Sequence, residues 1–375
     1  MSRVKLADVI IRANTKVDKD HTDLKYYVGG EHFESGNVTV EQRGLIEGST
    51  IGPMFYYGFK AGQFLLVSRN PHLKKAGVVD FDGICSEKTF VLQTANPEVL
   101  IPEYLPFVLQ NDRFWDYAVE HKHGSTNFFI NWSTLADYEF ELPSVEEQNR
   151  VATLAWAAHR LKKEYHKLIE ATDNLVKSQF IEMFYGKDYP IRSIGQVIDK
   201  GITRVGKKFS KDDVIEYLDI SSIDNESKVV TGTTSYVLSA APSRAQYVLK
   251  KDDILYSTVR PNLQNIAINP YSADNIIGST GFCVLRCKEV RTGFMWGLIT
   301  SDAFTKKMVS MASGANYPAV TDKTVHAYEF PMPPIEEQKR FENIVQQSDK
   351  SKFELQQAIE KVDNLIKSLI QQDNN

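Results

Sequence analysis

Leu142-Pro143-Ser144-Val145-Glu146-Glu147-Gln148-Asn149-Arg150 opens a long charged run near the middle of the chain, and Met332-Pro333-Pro334-Ile335-Glu336-Glu337-Gln338-Lys339-Arg340 says the same thing near its end. At an offset of 190 the two passages stay in register beyond the motif. Upstream, Tyr138-Glu139-Phe140 matches Tyr328-Glu329-Phe330; downstream, Asp173-Asn174-Leu175-Val176-Lys177-Ser178 matches Asp363-Asn364-Leu365-Ile366-Lys367-Ser368. The chain is a tandem duplication.

Both copies begin as helices should. Ser144 with Glu147 three residues on has the form of a capping box, and Glu146 and Glu147 sit where the helix dipole favours anions. Pro334 takes the first-turn role that proline tolerates. Leu154, Leu161, Leu168 and Leu175 fall seven apart, with Val151, Ala158, Tyr165 and Thr172 three residues before each, and these two rows read as a coiled-coil seam. The second helix keeps Phe341, Ile344, Leu355, Val362 and Leu365 at the equivalent places, with Ser348 and Ser351 in mid-seam. About 40 residues at roughly 1.5 Å each makes each helix about 60 Å long. The simplest partner for one helix is the other, packed antiparallel; an intermolecular coiled coil is the alternative.

A length of 375 residues with 42% hydrophobic content supports two or three domains with real cores. No apolar run approaches a membrane span, and Met1-Ser2-Arg3-Val4-Lys5 does not read as a signal peptide, so a cytoplasmic protein with no membrane partner is expected. Cys85, Cys283 and Cys287 lack a second ligand pair at zinc-like spacing and are read as buried structural thiols. The net charge of −4 argues against simple electrostatic capture of nucleic acid. Its distribution is uneven: residues 1–143 carry 14 Lys and Arg against 19 Asp and Glu, whereas residues 191–330 carry 17 against 14. DNA binding would need local basic patches or a partner that supplies phosphate contacts.

Between the helices the pattern is short β-like runs with turn punctuation. Phe55-Tyr56-Tyr57-Gly58-Phe59, Gln63 to Val67 and Lys88 to Leu92 read as strands, with a helix over Pro102 to Glu120; in the second half Ile254 to Ser257, Ile266 to Ile268 and Phe282 to Leu285 are strands, with a helix over Phe294 to Met311. Gly186-Lys187-Asp188-Tyr189-Pro190 closes the first long helix, and the second runs out at Asp373-Asn374-Asn375. The expected fold class is α+β: two mixed α/β globules, residues 1–143 and 188–333, separated by long helices over 144–187 and 334–375 that form an antiparallel coiled coil.

That order, with a Leu-Pro-x-x-Glu-Glu-Gln-x-Arg start to each helix, resembles the specificity subunit of type I restriction-modification systems over essentially the whole chain. Tyr27-Val28-Gly29-Gly30-Glu31-His32, Gly52-Pro53-Met54-Phe55-Tyr56-Tyr57 and Asp80 to Phe90 also look like target-recognition domains of that family. Lys251-Asp252-Asp253-Ile254-Leu255-Tyr256-Ser257 occupies the place of the family's Gly-Asp-Ile-Leu turn, with Asp252 where the glycine belongs. The resemblance implies a non-catalytic subunit in which each globule reads one half of a split sequence in double-stranded DNA. It implies docking of two methyltransferase subunits and, in the full complex, two ATP-driven restriction (motor-nuclease) subunits. S-adenosylmethionine, magnesium and ATP then belong to those partners, with no cofactor in this chain. Two recognition domains on an antiparallel pair would suit half-sites about one DNA turn, roughly 34 Å, apart, and a spacer that grows when both helices are lengthened. Because the globules differ, the target should be asymmetric.

No Asn-Pro-Pro-Phe-type methyltransferase motif is present, no nuclease constellation stands out, and the eight histidines lack metal-ligand spacing. Gly201-Ile202-Thr203-Arg204-Val205-Gly206-Lys207 satisfies Gly-x4-Gly-Lys, but Lys208 stands where a Ser or Thr must hold magnesium. Arg204, Lys207 and Lys208 are therefore read as phosphate contacts or as a solvated turn. For base contacts the best stretches are Ser68 to Lys75, with Arg69, Asn70, His72, Lys74 and Lys75, and its repeat Ser257 to Asn265, with Arg260, Asn262 and Gln264. Arg and Asn pair with guanine and adenine edges, and Lys serves phosphates. A second pair of loops, Lys122-His123-Gly124-Ser125-Thr126-Asn127-Phe128-Phe129 and Ser313-Gly314-Ala315-Asn316-Tyr317-Pro318, offers Lys122, His123, Ser125, Asn127, Asn316 and Tyr317, or simply connects back into the sheet. Tyr56 and Tyr57 are groove candidates of which one should be core. Two other readings stay open: a coiled-coil scaffold whose globules bind protein, and the recognition part of a fused restriction-methylation enzyme.

Overall fold

The glutamine of the repeated motif explains why the motif recurs. In the computed structural model, which describes residues 2–314 and 316–372, Gln148 and Gln338 are almost wholly buried. Gln148 accepts from the Ile101 N–H (3.0 Å) and donates to the carbonyls of Val99 (2.8 Å) and Pro143 (2.9 Å). Gln338 accepts from the Arg291 N–H (2.9 Å) and donates to the Pro333 carbonyl (2.8 Å). Ile101 and Arg291 are themselves 190 residues apart. Each amide thus ties the first turn of a long helix to the entrance of the helical segment in its globule, satisfying groups that would otherwise be buried unpaired. Only half of the expected capping box forms: Ser144 Oγ accepts from the Glu147 N–H (3.3 Å), while the Glu147 carboxylate turns to Arg150.

The chain divides into two compact units, residues 1–165 with 357–375 and residues 166–356, so each takes part of both long helices, Val145–Phe184 and Ile335–Gln372. Asp373 to Asn375, the expected end of the second helix, lie outside the described residues, as does Ala315. Within each unit the helices run antiparallel. In the first, Val151, Ala152 and Ala155 share a core with Leu369, near the other helix's end; in the second, Phe180 and Phe184 pack on Phe341, near the other helix's start, with ring centroids 5.2 and 5.6 Å apart.

The seam differs from the expected one. Leu154, Leu161, Leu168 and Leu175 are 43–56% exposed. The inward row keeps Val151, Ala158, Tyr165 and Thr172, but its companions lie four residues after them, at Ala155, Lys162, Ile169 and Val176. The second helix uses the same register: Phe341, Val345, Ser348, Lys352, Leu355, Ile359, Val362 and Ile366 turn inward, whereas Leu365 is exposed. Leucine at i+3 outweighed alanine and lysine at i+4 in the reading of hydrophobicity. The inward row mixes Ala155, Ile169 and Val176 with lysines that form ion pairs. Lys162 reaches Asp363 (2.7 Å) in the first unit, and Lys352 reaches Asp173 (2.9 Å) in the second.

Each globule pairs two four-stranded sheets. In the first the orders are Ile10–Ala13, Thr89–Thr94, Phe64–Val67, Ala76–Val78, and Gly44–Leu45, Tyr26–Val28, Gly83–Ser86, Phe55–Phe59. The second repeats both: Ile198–Asp199, Phe282–Cys287, Ile254–Ser257, Ile266–Ile268, and Thr234–Val237, Val214–Leu218, Ile276–Ser279, Ala245–Val248. In both globules the pair at the centre of the second sheet is parallel, and the other strand pairs of the two sheets are antiparallel among the described residues. Phe64–Val67 and Ile254–Ser257 are buried along their whole length because they lie at the contact between layers. The single helices expected over 102–120 and 294–311 are each broken. Asn111 accepts from the Arg113 N–H (2.9 Å) and Ser301 from the Phe304 N–H (3.2 Å), so each caps a second helix, Asp112–Glu120 or Asp302–Met311. Asp252 keeps the turn that its missing glycine put in question: its φ is +67°, where Gly62 at the same place has +87°. Cys85 and Cys283 are buried and Cys287 partly so; burial pushes the Cys85 and Cys287 thiols up to about 12.

Candidate nucleic-acid interface

The two loops singled out separately in each globule are one structure. In the first unit the strand Phe64–Val67 ends in a turn where Asn70 and Lys74 both adopt left-handed backbone, φ +51° and +47°, around the short 3-10 turn Pro71–Leu73. The loop after the helix Asp112–Glu120 closes through a bridge between His123 and Phe129, turning at Gly124 (φ +92°). A Cβ on Gly124 would come within 2.6 Å of the Asn127 carbonyl oxygen, so glycine is required there. Backbone bonds stitch the loops together: the Asn70 N–H donates to the Phe128 carbonyl (2.8 Å) and the Ile130 N–H to the Ser68 carbonyl (2.9 Å).

The second unit builds the same device. Arg260 and Gln264 are left-handed at φ +50° and +49° around Pro261–Leu263, and Gly314 has φ +108°. The Arg260 N–H donates to the Pro318 carbonyl (2.7 Å) and the Val320 N–H to the Thr258 carbonyl (2.9 Å). Four left-handed residues other than glycine at two matched pairs of positions cost of order 1 kcal/mol or more each. Their recurrence marks a geometry that both globules keep at a cost.

The side chains presented differ. Arg69 and His72 are exposed and make no ion pair among the described residues, and the Asn70 amide caps nothing. Ser125 and Asn127 are exposed, and His123 lies against Phe129 with centroids 5.6 Å apart. Lys122 packs over the Phe128 ring at 5.0 Å and donates to the Val119 carbonyl. Lys74 pairs with Asp112 (2.6 Å), and Lys75 donates to the Gly30 carbonyl (2.6 Å). Those two lysines hold the loop in place, leaving Arg69 and His72 exposed with Asn70 half-buried beside them. In the second unit Arg260 stacks over Tyr317 at 4.7 Å and donates to the Asn316 carbonyl (3.3 Å); Tyr317 is 69% exposed, and Asn262 is exposed. Gln264 faces inward and donates to Thr305 Oγ1 (2.7 Å).

Of the two tyrosines in Phe55–Phe59, Tyr57 packs on the inner cluster, and Tyr56 donates from its hydroxyl to Glu87 (3.3 Å). Burial pushes the Tyr56 hydroxyl above its ordinary range, while Lys88 holds Glu87 below its own. The sequence reading missed the cations beside them: Arg12 lies over Tyr57 at 5.4 Å and Lys16 over Tyr56 at 5.9 Å. The second globule has the same pairing in Arg204 over Tyr247 at 4.7 Å. Tyr57 and Tyr247 are 190 residues apart, which was the available signal. Lys207 is exposed in the three-residue 3-10 turn Val205–Lys207, and Lys208 donates to the Asp274 carbonyl (3.0 Å). That turn replaces the long helix whose N-terminus would cradle a phosphate.

Known proteins share this plan. Residues 186–362 match the family model of the type I restriction modification DNA specificity domain. Over 366 residues the chain is 21% identical to a Methanocaldococcus jannaschii protein described as a type I restriction enzyme MjaX specificity subunit, covering 90% of this chain and 84% of that one. The fold matches the S subunit of a type I restriction-modification system from M. genitalium with a TM-score of 0.57 at 13% identity, over 100% of this chain and 96% of that one. It matches equally, at 0.57 and 19% identity over 99% and 97%, a chain from a structure of complex assembly and conformational transition in the type I system. Most of the second half thus falls inside that family model, and one similar protein aligns along nine-tenths of the chain.

Proposed function

We propose that this chain is the DNA-reading, non-catalytic subunit of a type I restriction-modification complex, and that the stitched loop pair of each unit reads one half of a bipartite, asymmetric target. The observation that carries this is the identical loop device at the same place in both units, furnished with different side chains. Arg69, Asn70, His72 and Asn127 serve one half-site, and Arg260, Asn262 and Tyr317 the other. Exposed Lys207 and Arg204 supply phosphate contacts, which a chain of net charge −4 must concentrate locally. Globules 1–143 and 188–333 are the recognition domains, with helical segments 144–187 and 334–375 as spacers.

The exposed leucines are where the methyltransferase subunits dock, Leu154 and Leu161 in the first unit and Leu168 and Leu175 in the second, each pair offering apolar surface at heptad spacing. S-adenosylmethionine, magnesium and ATP are held by those partners and by the motor-nuclease subunits, all in the cytoplasm. Among the described residues no helix is long and apolar enough to cross a membrane.

Co-expression with the methyltransferase subunit of the same genome, followed by mapping of methylated adenines across a DNA library, tests the reading. A split motif is expected, losing one half when Arg69 and Asn70 are replaced and the other when Arg260 and Asn262 are replaced. A stable complex that methylates no defined motif would reject DNA reading in favour of a protein scaffold. Leu161→Asp with Leu168→Asp should abolish co-purification of the methyltransferase while leaving thermal unfolding within about 1 °C, because exposed positions contribute little to stability. Retained co-purification would move docking off this row.

A further inference from the structure

Position for position, the two loop pairs carry two different matched sets. Asn70 and Arg260 occupy the same left-handed site, φ +51° and ψ +61° against φ +50° and ψ +63°. The residues just before the two backbone acceptors, Asn127 before Phe128 and Tyr317 before Pro318, are also 190 apart, on loops joined by equivalent backbone bonds of 2.8 and 2.7 Å. Where the site holds an arginine, an exposed aromatic ring faces it and the guanidinium lies 4.7 Å from that ring. Where it holds an asparagine, which is half-buried, the residue matching Tyr317 is an exposed amide, Asn127.

Building on the DNA-reading role, we infer that these two sites are base readers of opposite preference: Arg260 reads a guanine in one half-site, and Asn70 reads an adenine in the other. Guanine presents two acceptors, O6 and N7, on its major-groove edge, which a guanidinium fork meets with two parallel N–H donors; adenine presents an acceptor and a donor, which a carboxamide meets with its own donor and acceptor. Arg260 meets the requirement in three ways. It is exposed, and no carboxylate among the described residues engages it. One Nη2 donor is anchored on the Asn316 carbonyl at 3.3 Å, so the plane of the guanidinium is set while its other N–H groups stay available. The Tyr317 ring fixes the second face by stacking, so little side-chain freedom remains to be lost on binding. A lysine would keep the charge and lose the fork.

Asn70 starts from the same strained backbone, and its half-buried side chain makes no cap hydrogen bond to the turn that follows. Asparagine and arginine differ in reach, so the Asn70 site reads a base lying closer to its loop. The left-handed turn aims whichever residue stands there, and the exchange of one residue, with its facing partner, changes the base.

The test compares the wild-type complex with Arg260→Lys, Tyr317→Leu and Asn70→Ala complexes, each reconstituted with the methyltransferase subunit and presented with a randomised duplex library. Wild type is expected to select guanine at one position of one half-site and adenine at one position of the other. Arg260→Lys should reduce discrimination at that guanine by roughly ten- to a hundredfold while leaving the salt dependence of binding and the other half-site unchanged. Tyr317→Leu should give a smaller loss at the same base, and Asn70→Ala should act only on the adenine. Equal thermal unfolding of the variants guards against a folding defect, and Tyr317→Leu keeps the question answerable if Arg260→Lys unfolds. A wild-type bipartite motif whose bases are untouched by these changes overturns the inference and leaves the DNA-reading role standing. Absence of any wild-type motif overturns both.

Discussion

The two globules solve the same problem at the base of their central strands with different chemistry. In the second, Asp253 receives Arg286 in a two-bonded pair at 2.8 and 2.7 Å, with side chains 1% and 12% exposed. In the first, the equivalent places hold Gln63 and Gln93, where the Gln63 amide donates one hydrogen bond to the Gln93 side-chain carbonyl (2.6 Å) in a more exposed position. Both first members also accept the backbone N–H that closes the preceding turn, Lys250 or Lys60, at 2.8 Å. The geometry is inherited and the charges are not, so one unit tolerates polar substitution where the other does not.

The largest expected effect follows. Arg286→Leu leaves Asp253 buried without its partner and should cost about 3–5 kcal/mol, read as a drop in the urea midpoint. Gln93→Leu at the matching place should cost about 1 kcal/mol. Importing the first unit's solution, Asp253→Gln with Arg286→Gln, should recover most of the loss. If the double variant is no more stable than Arg286→Leu, the two pairs are not equivalent.

The helix clamps come next. Gln148→Leu orphans the Ile101 N–H and two carbonyls and should cost about 3 kcal/mol; Gln338→Leu orphans one N–H and one carbonyl and should cost about 2 kcal/mol. Equal losses would mean that the Val99 carbonyl finds water. The first unit should also be sensitive to acid at His159, which lies against the Thr39 hydroxyl at 3.4 Å. Burial holds its imidazole below its ordinary range, Lys162, Lys163 and Arg160 act the same way, and Glu41 opposes them. The unfolded chain therefore takes up the proton first. The His159 contribution is complete above about pH 6.5 and is lost as pH falls from there through the lower folded value. His159→Gln should flatten that limb of a stability-against-pH curve, an effect smaller than either clamp deletion. An unchanged curve would assign the acid limb to His326 in the second unit, which burial also lowers.

How much of this was legible follows from what repeats. The helices, their order and most strands announce themselves through hydrophobic period and through a motif stated twice. The clamp glutamines stand in the repeated motif, yet their role is not legible there, because a sequence does not say that an amide is buried. The seam lies one row away from the leucines: the residues at i+3 and i+4 both flank the same inward position, and a seven-residue spacing of leucine does not by itself say which of the two rows turns inward. The loops were found one at a time. Their union depends on backbone bonds between Asn70 and Phe128 and between Arg260 and Pro318, far apart in the chain, which no local pattern encodes.

Where the two helices differ at the seam, the difference is testable in small steps. Ser348 stands where the first helix has Ala158, and its buried hydroxyl has no hydrogen-bond partner among the described residues. Ser348→Ala should stabilise by about 1 kcal/mol, seen as a higher unfolding midpoint.

The smallest expected effect lies in the turns. Gly62 and Asp252 share a left-handed backbone, φ +87° and +67°, and nothing crowds the Cβ position of Gly62 within 4 Å. The two residues therefore differ in backbone preference alone, since aspartate tolerates this region at a cost that glycine does not bear. Asp252→Gly should stabilise the second unit and Gly62→Asp should destabilise the first, each by about 0.5–1 kcal/mol. Opposite signs of similar size would show that the turn is one inherited conformation with interchangeable occupants. Loss of stability in both variants would mean instead that Asp252, one residue before the buried Asp253, adds something to its own turn that a glycine cannot supply.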